Sequence, residues 1–278
     1  MAHRTLWLTA LVLAQCSRPS APEVTPPSAA PPPPAAAPSA KPAAAPAPAA
    51  DVISTQAGEI RIHPLHHATF ALDFAGKTIV VDPVKDASFD GVPKAVAVLL
   101  TDIHPDHLDP AVIEKVSTPE TVIVAPPAVA EKLPKSFTHV LVMKNGDTTT
   151  SKAMAVPAIP SLGIEAVPMY NEKRGPAPGK LYHDKGRGNG YVLTFGGKRI
   201  YISGDTECTP EMKALKDIDV AFVCMNLPYT MPPKEAVECI RAFSPKIVYP
   251  YHFRGSDPEE VSRAFKDGKT EVRIRKWY

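Results

Sequence analysis

The chain has 278 residues, enough for one large domain or two small ones. Its 31 lysines and arginines nearly balance 29 aspartates and glutamates. A net charge of +2 gives no basic face for nucleic acid, and no nucleic-acid partner is expected. The 33 prolines are too many for one compact fold and must be set partly outside it.

Residues 1–14 read MAHRTLWLTALVLA: His3 and Arg4, then an apolar run too short to span a bilayer comfortably. The next stretch, LAQC at Leu13–Cys16, resembles the lipobox of bacterial lipoproteins, which is cut before a cysteine that takes lipid. Gln15 departs from the small residue that pattern prefers. The resemblance implies an export signal over residues 1–16, lipid on Cys16, and membrane attachment in a bacterial envelope or periplasm. Residues 17–50 are almost entirely Pro, Ala and Ser with nothing to bury, and are expected to be an unstructured spacer biased to polyproline geometry. The folded domain is expected over 51–278. Cys208, Cys224 and Cys239 form no CxxC pair, which argues against a thiolate zinc site. One disulfide among them is open, but burial as three small apolar residues is the preferred reading.

Within the domain, β-branched stretches predict strands around Ile60–Ile62, Ala68–Phe74 and Thr78–Val81, with a hairpin turn at Ala75-Gly76-Lys77. The continuous apolar run AVAVLLT (Ala95–Thr101) reads as a strand buried on both faces. Asp109-Pro110 is a cap followed by proline at the first helical position, so Pro110 to about Val116 is predicted helical. ETVIVAPP is another buried strand, and KAMAVPAIPSLGIEAVPMY reads as strands broken by proline. A Gly196-Gly197 turn closes a hairpin in GYVLTFGGKRIYISGD, and Thr209-Pro210 caps a helix. IDVAFVCMN and KIVYPYHF are strands either side of the helix PPKEAVECIRAF. Asp257-Pro258 caps a last helix, and EVRIRKWY is expected to close as a strand. Strands first, then strands alternating with single helices, imply an α/β fold of two sheets with helices outside, a four-layer αββα sandwich.

Polar clusters follow three buried strands: Asp102, His104, Asp106 and His107; Gly204-Asp205-Thr206; and His252. A fourth segment carries His183 in a Gly-rich loop. Loops just past strand ends are where rigid scaffolds hold reactive groups. Imidazole and carboxylate are the common ligands of zinc and related divalent ions. Asp102 and His104 are two apart and point the same way in extended chain, while Asp106 and His107 turn onto the following loop. One loop can thereby serve two metals about 3.5–4 Å apart. A capping cluster around Asp109 with solvated histidines would account for one such cluster, but not for four.

Asp102-x-His104-x-Asp106-His107, His183, Gly204-Asp205-Thr206 and His252, in this order, resemble the metallo-β-lactamase superfamily and its HxHxDH signature. HHATFALDFAGKTIVVDPV and the stretch from VPMYN to ISGDTE resemble the branch that includes ascorbate-6-phosphate lactonase. The resemblance spans about Ile60 to Tyr278. It implies a first metal held by Asp102, His104 and His183, and a second held by Asp106, His107 and His252. Asp205 would bridge them, with a bridging hydroxide as nucleophile and Asp106 and Asp205 as the catalytic carboxylates. His67 and Asp82 match positions that support such ligands, and Tyr170 and Asn171 fall on a loop at the pocket rim. Two divalent ions are implied, zinc first, with manganese or iron as alternatives.

The departure is Asp102, where the signature has histidine. Ligation is expected, because the other six positions are intact. Counting formal charges, the substitution makes the centre less positive by one, which should favour harder ions such as manganese or iron. His63 and His66 are expected at the surface or behind the ligands, His139 to be structural, and Cys208 to pack near the Gly-Asp-Thr turn. Lys173, Arg174, Lys180, Lys185 and Arg187 make one segment strongly basic, as a solvated loop or as an anion site. The expected function is hydrolysis of a small ester, lactone or phosphoester. The alternative is a non-catalytic, metal-dependent binding or sensor protein of the envelope.

Overall fold

Successive residues of the central strands face opposite ways, and the layering follows from that. The computed structural model describes residues 50–278, apart from 155–158, 160, 267 and 269. The expected export signal, Cys16 and the Pro/Ala-rich spacer up to residue 49 lie outside the described residues. No described helix is long and apolar enough to cross a membrane.

The first half of the domain runs Asp51–Thr55 (β1), Gly58–His66 (β2), Thr69–Phe74 (β3), Lys77–Val81 (β4), Ala95–Leu99 (β5), Pro110–Val116 (α1), Ser117–Ala125 (β6), Pro127–Ala130 (α2) and Val140–Val142 (β7). The second runs Thr148–Thr150 (β8), Gly163–Met169 (β9), Gly188–Phe195 (β10), Lys198–Ile202 (β11), Pro210–Lys213 (α3), Val220–Cys224 (β12), Pro233–Phe243 (α4), Ile247–Tyr251 (β13), Glu259–Ala264 (α5) and Glu271–Val272 (β14). Each half forms one seven-stranded sheet whose strands are neighbours in chain order. In the first sheet β1 to β4 pair antiparallel and β4 to β7 parallel. The second repeats the plan, with β8 to β11 antiparallel and β11 to β14 parallel. Parallel neighbours need a crossover, and this is where the five helices of the described residues sit.

Ile79, Val81, Ala97, Leu99, Val122 and Val124 face the core shared with the second sheet. Their neighbours Val80, Val98 and Ile123 face outward, onto Val112, Ile113 and Val116 of α1. Between the sheets, Phe70 of β3 stacks on Phe222 of β12 with ring centroids 4.2 Å apart. The result is the four-layer αββα sandwich of the metallo-β-lactamase fold.

Local signals act as expected at the helix starts. Asp109 Oδ1 accepts from the backbone N–H groups of Ala111 and Val112, at 3.1 and 3.3 Å. Thr209 Oγ1 accepts from Met212 N. Two expectations need correction. The closing strand is only Glu271–Val272. Beyond it Arg273 and Arg275 pair with Asp51, and Trp277 is buried against Phe70, Phe222 and Tyr251. Cys208 and Cys239 are not separate buried thiols: they form a disulfide with Cα atoms 5.5 Å apart, and Cys224 alone is a free, buried cysteine among the described residues. The reason is spatial, since α3 and α4 pack together and bring distant positions into register.

Candidate metal centre

The polar clusters meet at one end of the sandwich. Asp102, His104, Asp106 and His107 follow β5, Asp205 follows β11, His252 follows β13, and His183 precedes β10. Asp102, His107, His183, Asp205 and His252 are buried. Their donor atoms, with those of His104, Asp106 and His67, form three groups, the last two sharing His252: Asp102, His104 and His183; His107, Asp205 and His252; His67, Asp106 and His252. Within each group the donors lie within 4.8 Å of one another.

Asp205 lies between the groups. Its Oδ2 is 3.3 Å from His183 Nε2 and 3.4 Å from His107 Nε2, and its Oδ1 is 3.3 Å from His252 Nε2. Asp106 stands 3.5 Å from His252 Nε2 and 3.9 Å from His107 Nε2. Bonds of about 2.0–2.1 Å to a tetrahedral ion put neighbouring donors roughly 3.4 Å apart, so these spacings suit a divalent cation. Gly204, just before Asp205, has φ +60°. A Cβ there would lie 2.5 Å from Met169 Sδ, so the turn requires glycine.

Hydrogen bonding fixes which nitrogen His183 and His107 offer. Asn171 Nδ2 reaches Glu207 Oε1 at 3.1 Å and Tyr229 O at 2.8 Å, both acceptors, so this side of the amide is the donor. Asn171 Oδ1 then accepts from His183 N and His183 Nδ1, at 2.8 and 2.7 Å. His183 Nε2 therefore carries a lone pair, directed at carboxylate oxygens. It is buried without a hydrogen-bond partner, as is Asp205 Oδ1. Asp82 does the same for His107: Oδ2 accepts from His107 Nδ1 at 2.8 Å and Thr101 Oγ1 at 2.6 Å, while Oδ1 accepts from Thr101 N at 2.8 Å. His107 Nε2 then faces His252 Nε2 at 3.2 Å. A buried lone pair aimed at carboxylates is repelled unless a cation lies between them, so the donor set fits a metal.

The charges agree. Burial alone would lower His107, but the carboxylates of Asp205 and Asp82 hold it well above the ordinary imidazole value. Burial would raise Asp205, yet His252 and His107 hold it well below the carboxylate range. Asp106 is likewise held low against its burial, by His252, His67 and His107. His67 is pushed down to about 4 by burial and is neutral at pH 7. Its Nε2 is 3.1 Å from Asp106 Oδ2 and its Nδ1 is 2.5 Å from the Tyr278 hydroxyl. His67 thus touches Asp106 directly, where it can hold that carboxylate in place.

Asn171 is buried behind His183 rather than at the rim. Tyr170 is partly exposed: its hydroxyl donates to Glu211, and the Lys185 ammonium lies 4.7 Å from its ring centre. The basic segment is largely neutralised. Arg174 forks onto Glu235 and pairs with Glu207, Lys173 pairs with Glu235, and Lys185 with Glu211. Arg187 turns inward and forks onto Asp102. Burial opposes ionisation of Asp102, but the hydrogen bond from His104 and the charges of His107, His104 and Arg187 bring its pKa down to about 2. No local signal marks the Arg187 contact or Tyr278, which lie 85 and 211 positions from their partners. His63 pairs with Asp73 away from the cluster.

A cleft of about 190 Å³ opens onto His67 and Asp106, with Lys85, Asp86 and Arg254 on its walls. A larger cavity of about 370 Å³, lined by Ser117, Thr118 and His139, lies where β5 and β6 begin, at the opposite end of the strands from the ligands.

A four-layer sandwich with histidines and aspartates converging past its strand ends is the architecture of a metal-dependent hydrolase. The chain belongs to the beta-lactamase superfamily, whose domain profile matches residues 61–252. A crystal structure of a protein from Parabacteroides distasonis, assigned to the metal-dependent hydrolases, is 43% identical with a TM-score of 0.72, covering 81% of this chain and 97% of that one. A UPF0173 metal-dependent hydrolase of Thermococcus onnurineus is 29% identical, over 78% of this chain and 96% of its own length. CmlA of Streptomyces venezuelae, a diiron β-hydroxylase, shares only the fold, at 17% identity and TM-score 0.57, covering 82% of this chain and 53% of that one. One fold thus hosts different reactions, and substrate must be argued from the site.

Proposed function

We propose that the protein is a dinuclear metallohydrolase acting on a small ester, lactone or phosphoester. One observation carries the reading: His183 is held in the tautomer that aims its Nε2 lone pair at Asp205, with both groups buried. In this reading Asp102, His104 and His183 would hold one ion and Asp106, His107 and His252 the other, with Asp205 placed to serve both. The ions are zinc, with manganese or iron as the harder alternatives. When bound, such a pair acidifies a shared water and stabilises negative charge on the scissile group. Asp82 and Asn171 orient His107 and His183, and His67 donates to Asp106, holding that carboxylate in place. With Asp106 committed to a metal, Lys85 and Arg254 outnumber Asp86 on the cleft walls, which favours a substrate bearing an anionic group.

The purified protein is expected to hold about two divalent ions and to melt lower after chelation, because a ligand that binds only the folded form stabilises it. It should hydrolyse a member of a panel of esters, lactones and phosphoesters, and Asp205→Asn should remove that activity while leaving a cooperative melt. Two bound ions without hydrolysis of any class would favour a metal-dependent sensor instead. A chain that binds no zinc, manganese or iron would overturn both readings.

The protein is proposed to be exported and tethered through lipid on Cys16, with residues 17–50 as the spacer. The Cys208–Cys239 disulfide supports this, since such bonds persist in oxidising compartments.

A further inference from the structure

We propose that Asp102 and Arg187 act as one charge-neutral unit at the first metal position, standing together where the motif has an uncharged histidine. The inference rests on the reading that Asp102, His104 and His183 hold a metal. An aspartate in place of histidine changes the fixed charge of the ligand set by one negative unit. Arg187 restores it. Its Nε lies 3.0 Å from Asp102 Oδ1 and its Nη2 3.0 Å from Oδ2, a two-pronged pair between a fully buried carboxylate and a side chain only 18% exposed. The guanidinium keeps its charge at any pH the protein survives. The expectation that Asp102 makes the centre less positive therefore omits the residue that cancels it.

The fork also shapes what Asp102 can donate. A carboxylate has two acceptor positions on each oxygen, and Arg187 takes one on each. The position left on Oδ2 faces His104 Nδ1 at 2.8 Å and His183 Nε2 at 3.9 Å. The fork takes the converging side of the carboxylate, and the one position left on each oxygen diverges from the other, so the two oxygens cannot chelate one ion while Arg187 is in place.

The backbone is built to bring the pair together. Asn189 N donates to Thr101 O at 3.0 Å, pressing the start of β10 onto the residue before Asp102. At Gly188 a Cβ would lie 2.7 Å from Thr101 O, so only glycine permits this approach. Arg187 Nη1 donates to Tyr182 O at 2.8 Å, which steadies the guanidinium from behind. The other acidic partners in this basic segment, Glu207, Glu211 and Glu235, are outside the candidate ligand set.

The proposal makes Arg187 a positioning residue whose effect reverses sign with its partner. The test is zinc binding to the metal-free protein, read by competition with a chromophoric chelator, for wild type, Asp102→His, Arg187→Gln and the double variant. Asp102→His alone places an uncompensated guanidinium beside the ion and should weaken one of the two affinities by about 10–100-fold. Adding Arg187→Gln should bring it back to within about threefold of wild type. If Arg187 merely braces the loop through Tyr182, Arg187→Gln makes the Asp102→His protein bind more weakly still, and the proposal is wrong. Wild-type binding by Asp102→His alone would also overturn it. Wild-type protein that binds fewer than two ions would instead overturn the underlying reading of the site, and with it this inference. Thermal melting of each metal-free variant checks folding. Should Asp102→His not fold, Asp102→Asn, nearly isosteric, replaces it, with rescue by Arg187→Gln again the deciding result.

Discussion

Replacing Asp82 by asparagine isolates the work done behind the ligands. Asp82 is fully buried and takes three donors on two oxygens: Thr101 N at 2.8 Å, Thr101 Oγ1 at 2.6 Å and His107 Nδ1 at 2.8 Å. Asparagine keeps the shape and tolerates the left-handed backbone there, φ +43°, so the change is confined to chemistry. One oxygen becomes an NH₂ facing a donor. The loss combines a hydrogen bond to a charged acceptor with an unsatisfied buried donor, together about 3 kcal/mol. For a domain of this size that is roughly 6–12 °C in Tm. His107 also loses the partner that fixes its tautomer, which should weaken the ion it faces by about 10–100-fold. Melting of the metal-free protein reads the first effect, and zinc competition reads the second. An Asp82→Asn protein that melts within about 2 °C of wild type and binds zinc as tightly would refute the reasoning.

Two further outcomes are expected. The Cys208–Cys239 bond spans a sequence separation of 31, so replacing both cysteines by serine should cost about 3–4 kcal/mol through the entropy of the unfolded chain, seen as a lower Tm that reductant no longer changes. In a bacterial host Cys16→Ser should release the protein from the membrane fraction or leave an uncleaved precursor; full membrane retention of a cleaved Cys16→Ser protein would rule out the lipid anchor.

Much of this was readable in the chain because it is local. Strands buried on both faces appear as unbroken apolar runs, so β5, β6 and β12 stand out. Asp109-Pro110 and Thr209-Pro210 mark helix starts by chemistry confined to a few neighbouring residues. The ligand types also announce themselves, since acids and imidazoles crowd the first residues past apolar strands. Pairings across the fold do not. Nothing near Arg187 in sequence distinguishes it from Lys185 or Arg174, yet one reaches a carboxylate in the centre and the others reach the periphery. The charge count at Asp102 is incomplete for that reason: it tallies the ligands and leaves out the cation that folding places against them. Tyr278 and the Cys208–Cys239 bond were hidden the same way. The terminal residues of EVRIRKWY misled differently, because their alternation suits a strand while their side chains are committed to Asp51, the inner core and His67.

Where the backbone is strained says what the strain serves. Among the described residues seven besides glycine have positive φ, and three of them are His67, Asp82 and His252. Each is the residue immediately after a strand: β2 ends at His66, β4 at Val81 and β13 at Tyr251. Continuing the strand would have carried the side chain on in its alternating direction, whereas a left-handed step turns it. In all three cases the turned side chain meets the cluster: His67 against Asp106, Asp82 against His107, His252 against Asp205. Such conformations cost of order 1–3 kcal/mol apiece and persist only when surrounding contacts over-determine them. The parallel strands deliver the chain to one end of the sandwich, but their pleat alone would not aim these three groups at a common point. The strain is spent on that aim, and the same ends of both sheets supply the donors. A cation held there would bind residues from the first sheet (Asp102 to His107) to residues from the second (His183, Asp205 and His252), offsetting repulsion among the ligands while joining the two halves of the fold.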